Sequence, residues 1–248
     1  PDCGEEDRPD LCPSELGDDW QLISWVPEVS RESIRAAERE IGSGIGADRA
    51  WRTATGRFDV TVAVGDTGVN WGRRDLRRKY FLHAGELPLP QDADGVEAAE
   101  HDANGDGLFN IDDYDEDPRL SIDAGDAPFD DVLDVSDLLI AFSDGVDDDG
   151  NGYTDDISGW DFFERDNNAW HSLATEYGEH GDGVARDMAA EGGNGGDIGV
   201  CPNCALLPVR VGDAFIIDGT RVAEAIAYAT EMDAVSISLE VGGMSRPT

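Results

Sequence analysis

An aspartate and a histidine that are far apart in the sequence each stand at the end of a predicted element. Asp66 ends the apolar run Val60–Gly65, which has the composition of a buried β-strand. His180 opens a small-residue segment whose apolar positions, Val184, Ala185, Met188 and Ala189, form one helical face. An aspartate at the carboxyl end of a parallel strand lies where α/β folds place their chemistry. We therefore predict that the Asp66 carboxylate and the His180 imidazole lie within hydrogen-bonding distance.

Other interpretations of these two residues are open. A histidine such as His180 is more often a core or surface group than a catalytic one. Asp66 with Gly68 also fits a turn, or the phosphate-binding loop of an actin-like ATPase. That ATPase fold needs further glycine-rich phosphate loops, which we do not find in the sequence. The order of aspartate before histidine, with both at element ends, favours the catalytic pair of one class of serine protease.

Four blocks of sequence resemble those of the subtilisin-like serine proteases, in that family's order. The first two contain the candidate pair, and the last two resemble a core strand and the strand that lines the substrate cleft. The blocks are Val62–Val69, followed by Arg74–Leu76, then His180–Ala185, Gly199–Val211 and Ser236–Leu239. The resemblance extends over about residues 47 to 243. It implies an α/β, three-layer fold with a mostly parallel sheet, and protein or peptide substrates.

The resemblance also assigns roles to individual residues. Asp66 would orient the histidine, and His180 would act as general base towards a serine. The cleft strand would pair with the substrate backbone by strand addition. Its substrate-binding positions are Ser236, Ser238, Leu239, Glu240 and Val241. We expect residues 1–45 to form a cysteine-containing extension, residues 46–248 to form a partial catalytic domain, and residues 91–166 to be an acidic insert within it.

The third catalytic block of the resembled family is missing from these 248 residues. Gly-Thr-Ser-Met-Ala does not occur, and no oxyanion-hole asparagine precedes such a block. We expect a truncated fold that is inactive by itself, with the segment that carries the serine as a partner. The alternative function is a Ca²⁺-dependent binding domain or pseudoprotease on the same scaffold.

Three positions depart from the family's pattern near the candidate site. Asp182 replaces a threonine and would place an acid beside the imidazole. Glu240 replaces a glycine of the cleft strand, on the S1 side. Gly65 replaces a branched apolar residue and would weaken local packing.

An acidic loop in the insert has the ligand spacing of an EF-hand. Oxygen-bearing residues stand at positions 1, 3, 5, 9 and 12, and Gly107 supplies the sharp turn at position 6. The predicted ligands are Asp102, Asn104, Asp106, the backbone carbonyl of Leu108, Asn110 and Asp113. Alternating carboxylates suit a hard cation such as Ca²⁺, and the alternative is a solvated acidic turn.

A second loop repeats this spacing as far as position 9. Its predicted ligands are Asp147, Asp149, Asn151, the backbone carbonyl of Tyr153, and Asp155. Position 12 is Ser158, which leaves the last ligand open. The family resemblance implies a third calcium site at Asp75, together with the glycine-rich loop that contains Asn194.

The composition of the chain limits the classes of function that it can have. The net charge of −37 repels nucleic acid phosphates and anionic lipids, so we expect neither as a partner. Residues 92–187 hold 30 of the 55 acids against three arginines, which fits bound divalent cations, solubility or adaptation to high salt. Four cysteines favour disulfides and a secreted or extracytoplasmic protein, with Cys3–Cys12 and Cys201–Cys204 the simplest pairing. Cys201 and Cys204 also fit a redox or zinc half-site.

Periodicity and capping residues predict the remaining elements. We expect helices over 30–41, 47–53, 132–142 and 218–232, the last capped by Asp218. The third has an apolar stripe at positions 132, 135, 138, 139 and 142, and the last has a core-facing stripe of Val222, Ala225, Ile226 and Ala229. We expect further strands over 205–211 and 234–239. The βαβ succession implies a parallel sheet with helices on both faces.

Overall fold

The computed structural model describes residues 45–122, 132–171, 179–194, 196–214 and 218–242. The chain divides into two units, residues 1–56 and residues 57–248. In the first unit, helix α1 spans Ala47–Ala50 and is shorter than predicted. The predicted helix over 30–41 and the pair Cys3 and Cys12 lie outside the described residues.

The second unit is built around a parallel sheet of four strands in the order β2-β3-β1-β4. The strands are β1 (Thr61–Asp66), β2 (Trp160–Asp161), β3 (Ala205–Arg210) and β4 (Ser236–Ser238). The register pairs Asp66 with Arg210 and Arg210 with Asp161. The carboxyl ends of three neighbouring strands therefore meet at one edge of the sheet.

Helices cover both faces of this sheet. They are α2 (Val135–Phe142), α3 (His180–Ala189) and α4 (Gly219–Glu231), and a 3₁₀ helix spans Ile111–Tyr114. Alternate residues of β1 point to opposite faces: Val62 and Val64 pack in one core cluster with α3, and Ala63 packs in a second cluster with α4. This three-layer α/β arrangement confirms the predicted fold class. Within the described ranges, we find no helix that is both long enough and apolar enough for a membrane span.

Two predicted apolar faces differ from the structure. Helix α2 begins at Val135, because Asp134 and Asp137 form a capping box there, and Val132 lies outside the helix and is exposed. In α4, Asp218 caps the helix as predicted, but Ile226 is exposed and Tyr228 is buried instead. The hydroxyl of Tyr228 donates to the buried Asp156 at 2.7 Å. That tertiary hydrogen bond accompanies the different buried face of α4.

Cys201 and Cys204 form a disulfide directly before β3. Both sulfurs are committed to this bond, so the pair is not a thiolate half-site for zinc. The disulfide closes the tight turn that follows α3 and leads into the central strands.

The only lysine of the chain, Lys79, is buried next to β3. Its residue is 5% exposed, and its backbone carbonyl accepts a hydrogen bond from Leu206. The ammonium lies 5.3 Å from the centre of the Phe58 ring. Burial lowers the pKa of Lys79 to about 8, although the charge of Glu191 acts in the opposite direction. A charged amine at this position therefore destabilises the fold.

Replacing Lys79 with Met should stabilise the protein in a pH-dependent way. Below about pH 8 the amine is protonated in both states, and folding must bury the charge. The free-energy cost of burying this charge decreases as the pH rises from 8 towards 10.5, the ordinary pKa of a lysine. We expect Lys79→Met to raise the free energy of unfolding by about 2–3 kcal/mol at pH 7, with a smaller gain at pH 9.5. Urea unfolding at both pH values measures this.

The control is Arg57→Met, which removes a positive charge that is exposed to solvent and not buried. A gain for Lys79→Met that is equal at pH 7 and pH 9.5 would show that the buried charge is not its cause.

Candidate active site

The structure brings Asp66 and His180 together. Asp66 is the last residue of β1 and is 1% exposed, and His180 is the first residue of α3. His180 Nδ1 lies 2.7 Å from Asp66 Oδ1, which also accepts the backbone N–H of Thr67 at 2.7 Å. Because a carboxylate can only accept, Nδ1 carries the proton of this hydrogen bond. The basic nitrogen of a neutral His180 is then Nε2.

Close backbone contact between the two elements sets this distance. The N–H of Gly181 donates to Thr67 Oγ1 at 3.1 Å, directly beside the Asp66–His180 hydrogen bond. A Cβ at Gly181 would overlap the carbonyl oxygen of Gly68. Gly68 itself has φ +100° and lies against the carbonyl of Ala169. Helix α3 can therefore approach the loop after β1 because Gly181 lacks a side chain, and the missing side chain of Gly68 lets the same loop pack against Ala169.

A buried arginine at the end of β3 supports the same loop from the other side. Arg210 Nε donates to the carbonyl of Thr67 at 3.2 Å. Its Nη1 lies 2.5 Å from Asp161 Oδ2 and 3.0 Å from Glu164 Oε2. Burial raises the pKa of Asp161, and Arg210 together with the N–H groups of Glu164 and Phe163 opposes that rise. The ion pair therefore fixes the ends of β2 and β3 next to the candidate site.

Asp182, the acid predicted beside the imidazole, directs its carboxylate to other groups. Asp182 is 1% exposed, and its Oδ1 accepts the backbone N–H of Asn70 at 2.7 Å. Its Oδ2 accepts Arg73 Nε at 2.7 Å and lies 3.1 Å from His171 Nε2. The carboxylate is thus engaged by three polar groups of neighbouring segments.

A comparison with known protein families adds independent evidence to this geometry. The profile of the subtilase family matches residues 58–246, which is more than half of the chain. The chain belongs to the subtilase family. No individual curated protein matches it significantly. The matched range contains the whole sheet, the Asp66–His180 pair and the acidic insert, so this is a domain of serine-peptidase type.

The predicted substrate strand of this subtilase runs beside β1. Strand β4 is parallel to β1, with Ser238 opposite Val64, so Leu239 and Glu240 follow β4 alongside the last two residues of β1, Gly65 and Asp66. Ser236 and Glu240 are exposed, while Ser238, Leu239 and Val241 are half-buried. The side chain of Leu239 occupies the space that a Cβ at Gly65 would enter. We expected Gly65 to weaken local packing, but the side chain of Leu239 on the neighbouring strand fills the space beside it.

The first acidic loop of the subtilase folds as a succession of tight turns. Asp102 accepts the N–H groups of Gly105 and Gly107 at 2.9 and 3.0 Å, and Gly107 has φ +87°. The other predicted ligands follow the same pattern. Asn104 and Asp106 accept from the backbone two residues on, at Asp106 and Leu108, and Asn110 caps the 3₁₀ helix.

The carboxylate of Asp113 closes the first loop. It accepts the N–H of Asn104 at 3.2 Å and that of Asn110 at 2.9 Å. Burial raises the pKa of Asp113, and these N–H donors work against the rise. The predicted ligands of the first loop are thus held by backbone hydrogen bonds, and among the described residues their carboxylates do not converge as those of Glu86, Asp147 and Asp149 do.

The second acidic loop gains a carboxylate that the sequence pattern does not contain. Glu86, 4% exposed, accepts the N–H groups of Asp148, Asp149 and Asp155 at 3.0 to 3.2 Å. Carboxylate oxygens of Glu86, Asp147 and Asp149 lie within 4.8 Å of one another. The predicted ligand Asp155 lies outside that group, and its carboxylate accepts the N–H groups of Asp144 and Gly145.

The other predicted members of the second loop have different partners. Asn151 Oδ1 accepts the N–H of Tyr153 at 2.7 Å, and Asn151 Nδ2 lies 3.2 Å from Asp156. Ser158, at position 12 of the loop, is fully buried and donates its hydroxyl to the carbonyl of Phe81 at 2.7 Å. Ser158 therefore does not complete the loop, whereas Glu86 reaches it from 61 residues upstream of Asp147.

Burial raises the pKa of Glu86, and the charges of Asp156 and Asp149 raise it further against the effect of the N–H donors. His83 lies beside these acids, with Nδ1 3.1 Å from Asp156 and Nε2 3.3 Å from Asp149. Burial lowers the pKa of His83, but the hydrogen bond and charge of Asp156 outweigh it and leave the pKa raised. Mutual repulsion between the carboxylates is thus relieved only in part by protein groups.

Asp75, the predicted ligand of the third site, contacts the glycine-rich turn after α3. Its Oδ2 accepts the N–H of Asp197 at 3.2 Å, and a Cβ at Gly196 would overlap the carboxylate. Asn194 Oδ1 accepts the N–H of Gly196, and its buried Nδ2 has no hydrogen-bond partner within the described part of the chain. The structure therefore places the carboxylate of Asp75 against the turn that contains Asn194.

Sequence reasoning missed Glu86, the Arg210–Asp161 pair and the partners of Asp182. These residues carry no local spacing, because each contact joins distant segments. The available signals were indirect: an isolated acid at Glu86 between apolar residues, and arginine at the end of a buried strand at Arg210.

Two glycines of α3 allow a matched test of the close approach. We expect Gly181→Ala to lower the free energy of unfolding by about 1–3 kcal/mol, because its Cβ must displace the Gly68 carbonyl. Gly183→Ala meets no atom within 4 Å and should stabilise the helix by about 0.5–1 kcal/mol. Denaturant unfolding of both variants measures the difference. Equal effects of the two substitutions would contradict the contact between α3 and Gly68.

Proposed function

We propose that this chain carries the acid and the base of the catalytic triad of a secreted, calcium-stabilised serine endopeptidase. The observation that carries the proposal is the 2.7 Å hydrogen bond between His180 Nδ1 and Asp66 Oδ1 in a chain of the subtilase family. Asp66 is the orienting carboxylate and His180 is the general base.

Each group has a definite part in the reaction. Asp66 holds the proton on Nδ1, so Nε2 takes the proton of the serine hydroxyl as its oxygen attacks the peptide carbonyl. The imidazolium formed in this step is stabilised by the buried carboxylate at 2.7 Å. His180 then returns the proton to the leaving amine. The extended residues from Ser236 to Val241 align the substrate backbone beside this pair.

We further propose that the serine is contributed by residues outside the 248 printed here. Among the described residues, the hydroxyls of Ser136 and Ser158 donate to Asp134 and to the Phe81 carbonyl. The hydroxyl of Ser121 donates to the Ile122 carbonyl, and that of Ser143 accepts from Asn167. None of these four serines follows the strand-to-helix pattern of a triad nucleophile. The segment with the serine and the oxyanion-hole asparagine is therefore the partner that completes the site.

A non-catalytic binding domain is the second candidate. The exposed Glu240, in place of a glycine at the cleft strand, favours it, because a bulky acid narrows the S1 side. In that case the Asp66–His180 pair would be kept as part of the scaffold without turnover.

Peptidase assays should separate these two functions. We expect no turnover of a fluorogenic peptide panel by the 248-residue chain with calcium, since His180 can activate only a nucleophile that is present. A longer chain that includes a Gly-Thr-Ser-Met-Ala block should cleave peptides. His180→Ala should lower the kcat of that longer chain by about 10⁶-fold, a loss that is known for subtilisin itself.

Two outcomes would contradict the protease assignment. The first is turnover by the 248-residue chain that persists after His180→Ala, which would place the chemistry elsewhere. The second is a folded longer chain without turnover, which would favour the binding domain. The matched control is Glu100→Gln, an exposed acid of the insert, which should leave kcat unchanged.

Calcium fits the donors in the acidic insert. The oxygens of Glu86, Asp147 and Asp149 lie within 4.8 Å of one another, and hard carboxylate oxygens are the ligands that Ca²⁺ takes. A cation there would relieve the repulsion that contributes to the raised pKa of Glu86. We propose that Glu86 supplies the ligand that Ser158 does not, and that the first loop and Asp75 hold further ions. Calcium would stabilise the fold and take no part in the proton transfers.

The disulfide and the charge support the secreted location. A Cys201–Cys204 disulfide persists in an oxidising compartment and is rare in a reducing one. Millimolar external calcium would offset part of the −37 charge.

Calcium removal should lower the melting temperature. At free calcium about a hundred times Kd, binding to the folded chain adds about 2.7 kcal/mol to the free energy of unfolding per site. Melting scans with calcium and with chelator, at constant ionic strength, measure this. Glu86→Gln should weaken calcium binding by at least about tenfold in titration calorimetry, while Glu100→Gln should not. Equal melting temperatures with calcium and with chelator would instead favour adaptation to high salt.

A further inference from the structure

The carboxylate of Asp182 joins three segments around the N-terminus of α3. Its Oδ1 accepts the N–H of Asn70, which lies in the loop after β1. Its Oδ2 accepts Arg73 Nε from the same loop and lies 3.1 Å from His171 Nε2. The N–H of His171 in turn donates to the carbonyl of Val69 at 3.0 Å. A single buried side chain thus connects α3 with the loop that follows Asp66 and lies beside His171.

The position of Asp182 in α3 makes this connection relevant to His180. Asp182 is two residues after His180, in the first turn, where a negative charge is favoured by the helix dipole. The backbone N–H of Gly181 donates to Thr67 Oγ1, and the carboxylate of the next residue, Asp182, accepts the N–H of Asn70. Helix α3 is therefore tied to the loop at two successive residues. Both ties act on the same backbone that sets the direction of the imidazole.

The charge of Asp182 is buried, so its contacts must replace the hydration that the carboxylate loses on folding. The Asp182 side chain is 1% exposed, so its charge must be balanced within the protein. Arg73 provides that balance, with a side chain that is 32% exposed and that also lies 3.5 Å from Glu179. Tyr80, also buried, donates its hydroxyl to the carbonyl of Asn70 at 2.9 Å and holds that residue in place. The loop and helix can therefore separate only if a buried charge loses its partners.

We infer that Asp182 is a positioning residue for His180: with Arg73, it fixes α3 against the loop after β1 and so maintains the Asp66–His180 hydrogen bond. The inference rests on the proposed function for its catalytic meaning. A threonine at this position, as the resembled family has, could make at most a neutral hydrogen bond to the loop. The charged contact is thus a feature of this chain's own residues.

The test follows the Nδ1 proton of His180 by NMR in the folded 248-residue chain. Nitrogen-15 labelling of the four histidines, with His180→Ala to assign the signal, identifies the hydrogen-bonded Nδ1–H. We expect Asp182→Asn, which keeps an acceptor for Asn70 but loses the charge, to remove this resonance or speed its exchange with water. Arg73→Met removes the charge that balances Asp182, and we expect it to remove the resonance or speed its exchange as well. Arg73→Lys keeps a positive charge and should retain the resonance.

The control is Asp117→Asn, another buried carboxylate that bonds an arginine, Arg119, and a backbone N–H, that of Gln91. It should lower the melting temperature and leave the His180 resonance in place. An unchanged resonance in folded Arg73→Met and Asp182→Asn would overturn the inference, as would equal loss in Asp117→Asn. If Asp182→Asn does not fold, the comparison of Arg73→Met with Arg73→Lys tests the inference. The readout needs neither substrate nor serine, so absent peptidase activity in the longer chain would not affect it.

Discussion

The hydrogen bond between Asp66 and His180 depends on backbone contact between two elements that are 114 residues apart in the chain. Strand β1 places the Asp66 carboxylate at the edge of the sheet, and α3 carries the His180 imidazole on its first residue. The two can meet because Gly181 has no side chain that would overlap the Gly68 carbonyl. Much of the nearby structure fixes that loop, through the parallel register of β1 with β3 and through polar contacts on each side.

Charge near this contact is buried in pairs. Asp161 has Arg210, and Asp182 has Arg73, with backbone N–H groups on the remaining lone pairs. Arginine suits these positions because its planar fork holds a carboxylate and a second acceptor at once. Such pairs contribute little to net stability, since desolvation offsets their attraction. Their value is geometric, because a loop tied by buried charges has one favoured position.

The acidic insert contains many carboxylates and few basic side chains, so most of its negative charges need other partners. The backbone N–H groups of tight turns satisfy a large share of them, as at Asp102 and Asp147. Arginine pairs account for others, such as Asp112 and Asp117. Around Glu86 three acids converge, and among the described residues His83 is the basic group that forms an ion pair with one of them. A bound divalent cation would change this convergence from a destabilising into a stabilising feature.

Local patterns in the sequence determined the fold class and the candidate pair. Period-two and helical spacing, with a capping residue such as Asp218, depend on neighbours in the chain, and the family blocks around Asp66 and His180 are contiguous. Only the tertiary structure decided which distant groups meet. It directed Asp182 to Arg73, placed Leu239 over Gly65 and brought Glu86 to the second loop. The physical reason is that these contacts arise from strand register and close packing between distant segments, which leave no periodic trace in the chain.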